Sequence, residues 1–307
     1  SDLVLAMRSR AEALRRDPVR APARAHLAAR LGRGGAIQGW LAKIAAPSTG
    51  HALAERLLPG DPVVGAALAL SKGDAAAVAG AVPPYGIRAW AVDHHPCDTG
   101  VQPGYLRGGA AGYACFFTEC FLDELAHYAQ VEAMSFRIAM LGGKPRLARC
   151  LSTAAALGGW NGGVAGSGQG IACHAAYGSQ IAVLAEAHVE EGRVRVDRLV
   201  AAVDCGRQIN PDLVRQQIEG GLIFGMAAAL GGAVGYANGI ADADLAGGLH
   251  LPRLADTPDI TVELIESEAS PGGVSELAVP PVAPAIANAV HAATGLRLRG
   301  LPLRPSA

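Results

Sequence analysis

Two long apolar runs dominate the second half of the sequence and restrict the folds open to the chain. They span residues 171–188 and 194–203, and the segment Glu190-Glu191-Gly192 joins them. Runs rich in Val, Ile and Ala that end at glycine and charged residues are typical of strands buried in a sheet. The pattern therefore predicts two strands connected by a tight turn.

The segments that follow alternate between helix and strand. Asn210 suits the N-cap of a helix predicted over 211–230, and a strand is predicted over 260–265. A last helix is predicted over 281–294, with Gly295 ending it. The order strand–strand–helix–strand–helix predicts an α+β fold, with helices packed on one side of an antiparallel or mixed sheet.

The first half of the chain begins with strand-like patterns. Residues 1–46 are predicted to be β-rich, and the apolar residues at 3–7 indicate a strand entered directly. Two further runs, 26–31 and 37–44, flank a Gly-Arg-Gly-Gly segment, which is a hairpin signal. Another strand is predicted over 85–93.

Helical patterns follow these strands. The clearest is 113–130, where large apolar residues recur at helical spacing, and shorter helices are predicted over 134–141 and 145–157. The segment 158–170 is rich in glycine and is predicted to separate two subdomains. These are 1–158 and 159–307.

Composition excludes several classes of function. The 307 residues carry a net charge of −1 and only 5% aromatic side chains, so the chain lacks the basic stripe and stacking surfaces of nucleic-acid binders. No stretch stays apolar without interruption over the roughly 18 residues of a membrane-spanning helix. The 6 cysteines form no C-x-x-C pair, which argues against an iron–sulfur cluster or structural zinc in this chain.

Glu276 is the first candidate for chemistry. It lies on a loop between Gly272-Gly273 and the helix that follows Pro280-Pro281. A carboxylate that loop backbone holds in place can act as a general base when it is buried. The alternative is an exposed glutamate in the lead-in to the helix.

Arg107 is the second candidate. It lies at the centre of the loop 96–112, which is dense in glycine and proline. Flanking glycines let the backbone approach a ligand closely, and the guanidinium offers a fork of donors to an anion or oxo group. The alternative is an arginine that donates hydrogen bonds to loop carbonyls.

Three further segments have competing interpretations. A metal-dependent hydrolase could use His94, His95, Cys97 and Asp98, although neighbours in extended backbone point to opposite faces. The glycines at 166–170 favour a linker or hairpin over a nucleotide loop, because a strand follows them. The segment 204–221 indicates a strand–turn–helix in which the polar residues could simply hold the turn.

Several stretches, taken in chain order, resemble one family. They are Thr99–Val101 with Pro103–Gly108, then Glu119 with Phe121–Ala126, then Ala202–Gly206 with Asn210-Pro211, then Gln217–Gly221, and finally Gly272–Glu276 with Pro280-Pro281, Ala283–Ala285 and Asn288-Ala289. In this order they resemble the molybdopterin-binding subunit of the xanthine oxidase family, as found in isoquinoline 1-oxidoreductase β subunits and bacterial aldehyde dehydrogenases.

The resemblance implies a molybdenum-dependent oxidoreductase with a molybdopterin cofactor, in its plain or cytosine dinucleotide form. Such enzymes transfer oxygen derived from water to an aldehyde or an N-heterocycle, and a carboxylate accepts the proton. Glu276 matches this catalytic base. The positions that match cofactor-binding residues are Leu106, Arg107, Gly108, Gln217, Gly220, Gly273 and Ser275. No position matches a protein ligand to the metal ion.

The sequence also departs from the family pattern. Ser275 stands where the family usually has glycine, and Leu106 stands where it usually has an aromatic residue. The family's Met-Gly-Gln-Gly and Gly-Gly-x-Phe-Gly loops are not found. The chain is therefore expected to be the C-terminal part of such a subunit, unable to bind the whole cofactor and inactive alone. The alternative is a non-catalytic folded fragment or a degenerate module used in assembly or binding.

The resemblance implies partners as well. They are the N-terminal half of the molybdopterin subunit, a 2Fe–2S small subunit, a cytochrome c as electron acceptor and a small-molecule substrate, with no nucleic acid. The compartment stays open between the bacterial periplasm and cytoplasm.

Overall fold

The computed structural model describes residues 5, 7–238, 240–241 and 251–305. Leu3, Val4 and Ala6 of the predicted first strand lie outside the described residues. The first regular element of the described residues is a helix, α1 (Arg10–Arg16), so the prediction that residues 1–46 are β-rich is wrong at this point. Ser9 and Glu12 form a capping box, in which each side chain accepts from the other residue's backbone N–H, and this local device favours the helix.

The remaining elements follow in chain order. The other helices are α2 (Thr49–Leu57), α3 (Pro62–Leu70), α4 (Ala111–Tyr128), α5 (Ala133–Ile138), α6 (Pro145–Gly158), α7 (Pro211–Leu230) and α8 (Val282–Thr294). The strands are β1 (Val19–Arg20), β2 (Arg24–Leu31), β3 (Ile37–Ala46), β4 (Trp90–Pro96), β5 (Pro103–Gly104), β6 (Gln169–Ala176), β7 (Ser179–Glu190), β8 (Arg193–Asp204), β9 (Tyr236–Ala237), β10 (Ile240–Ala241) and β11 (Asp259–Leu264). Short 3-10 turns lie at Arg33–Gly35, Ala75–Val78 and Leu254–Asp256.

A mixed four-stranded sheet in the order β11-β8-β7-β6 forms the centre of the second half. Neighbours β6, β7 and β8 pair antiparallel, and β11 pairs parallel with β8. The α+β class and the mixed sheet are confirmed. Helices cover both faces rather than one: α7 and α8 lie on one face and α6 on the other.

The sequence of β7 explains why both faces are covered. Ile181, Ala182 and Val183 are all fully buried, although successive side chains of a strand point to opposite faces. Ile181 and Val183 pack in the core formed with α7 and α8, and Ala182 packs against α6. A strand that is apolar on both faces needs a layer on each side.

The run at 171–188 is a hairpin and not one strand. β6 and β7 are joined by the turn Tyr177-Gly178, and both turn residues have positive φ, 53° and 78°. These angles are those of a type I′ turn, whose twist suits a two-residue hairpin. Both strands are buried and rich in apolar residues, so the prediction joined them into one strand although Gly178, Ser179 and Gln180 interrupt the pattern at the turn.

A three-stranded sheet, β2-β3-β4, forms the first half together with α4 and α5. The predicted hairpin is confirmed, since β2 pairs antiparallel with β3. The strand predicted over 85–93 begins later, at Trp90. The subdomain boundary at 158/159 stays a prediction: glycine-rich backbone lies there, yet α6 before it packs against β7 and β8 after it. Within the described ranges no helix is both long and apolar enough to cross a membrane.

At Gly170 on β6 the backbone of α8 lies directly against the sheet. A Cβ there would overlap the backbone nitrogen of Ala289 and the carbonyl oxygen of Ala285. Since backbone cannot yield as a flexible side chain can, Gly170→Ala is expected to lower the free energy of unfolding by about 3 kcal/mol in urea denaturation. Gly65→Ala in α3 is the control, because a Cβ there meets no atom within 4 Å. Equal stability of the two variants would contradict this packing.

Candidate active site

The Arg107 side chain joins three segments of the chain. Its Nε donates to the carbonyl oxygen of Ser275 at 2.5 Å. Its Nη2 donates to the carbonyl oxygen and to Oε1 of Gln217, each at 2.9 Å. The loop before α4 is thereby tied to α7 and to the loop before α8. The alternative interpretation, an arginine that binds loop carbonyls, accounts for these bonds.

One edge of the same guanidinium stays available. No described residue accepts a hydrogen bond from Nη1, and no described carboxylate lies within salt-bridge distance of Arg107. A Cβ at Gly220 would lie 3.7 Å from Nη1, so the glycine leaves this edge uncovered. Burial lowers the pKa of Arg107 and the Glu276 carboxylate opposes that change. Arginine remains charged under all ordinary conditions, so the edge can attract an anion.

The turn that carries Arg107 packs directly against the segment after Glu276. Gly109 donates its N–H to the carbonyl oxygen of Leu106 at 2.7 Å. Gly108 has a φ of +90°, and a Cβ there would lie 2.9 Å from Cγ1 of Val279. Glycine is needed at this position both for the left-handed backbone and for the close approach.

Glu276 is half-buried and begins a turn, since Val279 donates its N–H to the Glu276 carbonyl oxygen at 3.2 Å. The Tyr177 hydroxyl donates to Oε2 of Glu276 at 3.0 Å. Tyr177 was not predicted to be part of the site, because its turn was hidden inside an apolar run. The available signal was Gly178, a glycine in the middle of a predicted strand, followed by the polar residues Ser179 and Gln180.

The loop leading to Glu276 lies on the β6–β7 turn and the end of β8. Gly272 donates its N–H to the carbonyl oxygen of Cys205 at 2.8 Å, and Gly273 donates to that of Tyr177 at 2.9 Å. Ser275 is exposed and contributes its carbonyl to Arg107. All eight predicted site residues therefore lie on adjoining loops and one helix. The roles assigned to them stay predictions.

The other candidate segments have structural partners. His94 has both ring nitrogens engaged, Nδ1 by the backbone N–H of Asp74 and Nε2 by the carbonyl oxygen of Ala46, each at 2.9 Å. Among the residues that the structure describes, the one group with three ligand-type atoms close together lies elsewhere, at Asp123, His127 and His291. The structure does not gather the predicted hydrolase set, which is His94, His95, Cys97 and Asp98.

The strand–turn–helix at 204–221 is held by its polar residues, as the structural alternative predicted. Asp204 Oδ1 accepts from Arg146 Nη2 at 2.6 Å and from the N–H of Gly206 at 3.0 Å. Asn210 caps α7 by accepting from the N–H of Leu213 at 3.0 Å. The glycine loop 166–170 leads into β6, which agrees with a linker.

The fold and the site together define an α+β domain in which helices cover a mixed sheet and a cation and a carboxylate lie on adjoining loops. The family model described as the molybdopterin cofactor-binding domain matches residues 157–258. The chain is 34% identical over 208 residues to isoquinoline 1-oxidoreductase subunit beta from Brevundimonas diminuta, which covers 66% of this chain and 27% of that protein. It is 31% identical over 229 residues to a membrane-bound aldehyde dehydrogenase (pyrroloquinoline-quinone) of Gluconacetobacter polyoxogenes, with 67% and 29% covered.

Structural similarity extends further along the chain. The crystal structure of quinoline 2-oxidoreductase from Pseudomonas putida 86 superposes with a TM-score of 0.79 on 97% of this chain and 63% of that one, at 12% identity, which shows a shared fold. The chain spans less than a third of the length of the two curated relatives, 27% and 29%. The predicted resemblance is confirmed: residues 157–258 match the molybdopterin cofactor-binding domain, and the relatives named are similar to this chain along that domain and beyond it.

Proposed function

We propose that this chain forms the part of a molybdenum hydroxylase active site that holds the proton acceptor, Glu276. The complete protein oxidises an aldehyde or an N-heterocycle with oxygen derived from water. The observation that carries this proposal is the Arg107 fork, which ties the loop of Ser275 and the helix of Gln217 together beside Glu276 and keeps one edge free.

The residues present fit a large anionic group such as molybdopterin. Arg107 offers an uncovered, unneutralised edge, and Gly220 leaves space beside it. When bound, the cofactor supplies the redox centre and the oxygen derived from water. The charge of Arg107 attracts the anion, and Gly220 has no side chain that would occupy the space beside it. The bonds of Arg107 also fix the loop that bears the base.

Glu276 accepts the proton released as the oxygen nucleophile attacks the substrate carbon. A general base must lie within hydrogen-bond reach of the proton and be held there. Tyr177 occupies Oε2, and no described residue donates to Oε1, so Oε1 is the acceptor. The surrounding backbone bonds, above all those of Gly272 and Gly273, keep the loop in place.

An apolar rim beside the site suggests how it is completed. Tyr105, Leu106 and Tyr177 are 49%, 39% and 64% exposed. Large exposed apolar residues grouped at one site mark a surface that another protein segment covers. We propose that the N-terminal half of a molybdopterin subunit packs here and supplies the second wall, the pocket that selects the substrate and the contacts that select the plain or dinucleotide cofactor. Electrons then leave through a 2Fe–2S small subunit to a cytochrome c.

Metal and pterin analysis of the complex purified from its native host tests the proposal. About one molybdenum and one pterin per chain are expected, because each chain contributes one Arg107 and Glu276 site. Pyrroloquinoline quinone without molybdenum would contradict it. Absence of both molybdenum and pyrroloquinoline quinone would favour the alternative, a non-catalytic assembly or binding module. The departures from the family pattern at Ser275 and Leu106 support that alternative.

Arg107→Met is expected to lower the molybdenum content of the purified complex at least about tenfold, because it removes both a charged donor and the brace between loops. Arg107→Lys keeps the charge without the fork and is expected to retain an intermediate content. Arg299→Met is the control, since Arg299 pairs with Glu124 on an exposed surface. Full molybdenum content in Arg107→Met would overturn the anchoring role.

A further inference from the structure

The β6–β7 turn has an unfavourable residue at its first position. Tyr177 has a φ of 53° and Gly178 a φ of 78°. Turns of this type favour Asn-Gly or Asp-Gly, because a side chain with a bulky Cβ substituent is disfavoured in left-handed backbone. The chain nevertheless carries tyrosine there, and the side chain is 64% exposed, so core packing does not account for it.

The turn is braced from two sides. Arg146 donates from Nη1 to the carbonyl oxygen of Gly178 at 3.0 Å, while its Nη2 pairs with Asp204 at 2.6 Å. From the other side, Gly273 donates its N–H to the Tyr177 carbonyl oxygen at 2.9 Å. These bonds hold Tyr177 in its strained conformation and hold it against the loop of Glu276.

The two glycines before Glu276 make this approach possible. A Cβ at Gly273 would lie 2.9 Å from the Cβ of Tyr177. A Cβ at Gly272 would overlap Oγ of Ser179, the residue after the turn. The glycine pair and the turn are therefore complementary surfaces, and their contact sets the distance between the Tyr177 ring and the Glu276 carboxylate.

We propose that Tyr177 is a positioning residue for Glu276, whose hydroxyl donates to Oε2 and turns Oε1 towards the reacting atoms. The inference rests on the proposed function, because it assigns a task to the base of that site. A single donor on one carboxylate oxygen restricts rotation about the last side-chain bond, which otherwise has a broad distribution. Strained backbone retained at such a point is a mark of functional positioning.

The first test needs no cofactor and no turnover. The full chain, isotope-labelled at the phenol carbon of tyrosine, is titrated by NMR, and Tyr177→Phe identifies the signal. Burial and the hydrogen bond to Glu276 raise the pKa of Tyr177, and Tyr105 adds to the shift. In Glu276→Gln the negative charge beside the hydroxyl is lost, so the Tyr177 signal is expected to titrate at a lower pH than in the unchanged chain. An unchanged titration would show that the Tyr177 hydroxyl does not contact the Glu276 carboxylate, and this would overturn the inference whatever the enzyme's activity.

The second test uses the molybdenum-bearing complex. Tyr177→Phe is expected to lower kcat about tenfold, with KM and molybdenum content little changed, because one hydrogen bond to a charged group is lost. Tyr128→Phe, a change at a side chain that is 82% exposed on α4, is the control. A kcat equal to that of the control would overturn the positioning role. A complex without molybdenum would instead refute the proposed function. The NMR titration would still show whether Tyr177 contacts Glu276.

A third variant separates strain from function. Tyr177→Asn suits the left-handed turn and is expected to raise the melting temperature by about 2 °C while kcat falls as in Tyr177→Phe. A lower melting temperature would show that the tyrosine stabilises the turn, which contradicts the inference that its strain is retained for positioning.

Discussion

Glu276→Gln is expected to lower kcat of the assembled complex roughly 10³-fold, the contribution typical of a positioned general base. Glutamine keeps the size of the side chain and can still accept the hydrogen bond from Tyr177, but it cannot accept the proton. Arg107 contacts the backbone of Ser275 and not the Glu276 side chain, so the cofactor should stay bound. Steady-state turnover and molybdenum analysis of the same preparation measure both quantities.

Glu263→Gln is the matched control for this change. Glu263 is an exposed residue of β11, a strand at the edge of the central sheet, and its replacement should leave turnover unaltered. If Glu276→Gln turned over at the normal rate in a molybdenum-bearing complex, the assignment of the base would be wrong, even though the chain would still bind the cofactor.

Arg137→Met is expected to lower the free energy of unfolding by about 3–5 kcal/mol, because it leaves a carboxylate buried without its cation. Arg137 and Glu119 both have fully buried side chains, with Nε and Oε2 3.0 Å apart. The Tyr85 hydroxyl donates to the other oxygen of Glu119 at 2.8 Å. Burial raises the pKa of Glu119 and Arg137 opposes that shift, so the variant should take up a proton at Glu119. Urea denaturation measures the loss.

Two comparisons sharpen this result. The double variant Glu119→Gln with Arg137→Met should be less destabilised than the sum of the single changes, since no unpaired charge remains buried. Arg299, whose side chain is 68% exposed, is a bidentate partner of Glu124. Arg299→Met should therefore lower the free energy of unfolding by less than about 1 kcal/mol. Similar losses for Arg137→Met and Arg299→Met would contradict the role given to burial.

Local signals made several elements predictable almost to the residue. α7 runs from Pro211 to Leu230 as predicted, because a capping asparagine and a proline in the first turn act within a few residues of the helix start. Gly295 ends α8 in left-handed backbone for a similar reason. The hairpin of β2 and β3 was predictable because the glycine-rich turn between the two strands is itself a local signal.

The candidate site was predictable for a different reason. Glu276, Arg107 and Gln217 are far apart in the chain, and composition or periodicity could not bring them together. Their ordered resemblance to one family did so, and the structure places them on adjoining loops. The same resemblance offered nothing for Tyr177, which lies outside the stretches that carried it.

The sequence by itself determined the α+β class, the cap and turn positions, and the family whose motifs it carries, because each depends on short-range patterns. Only the tertiary structure decided the hairpin at Tyr177-Gly178, the cover of α6 on the second face of the sheet, and the bonds that Arg107 and Tyr177 make. These features depend on contacts between residues distant in the chain. In the run 171–188 a single glycine and two polar residues are a weak turn signal between two apolar stretches, and the antiparallel pairing of those stretches decides that they are two strands.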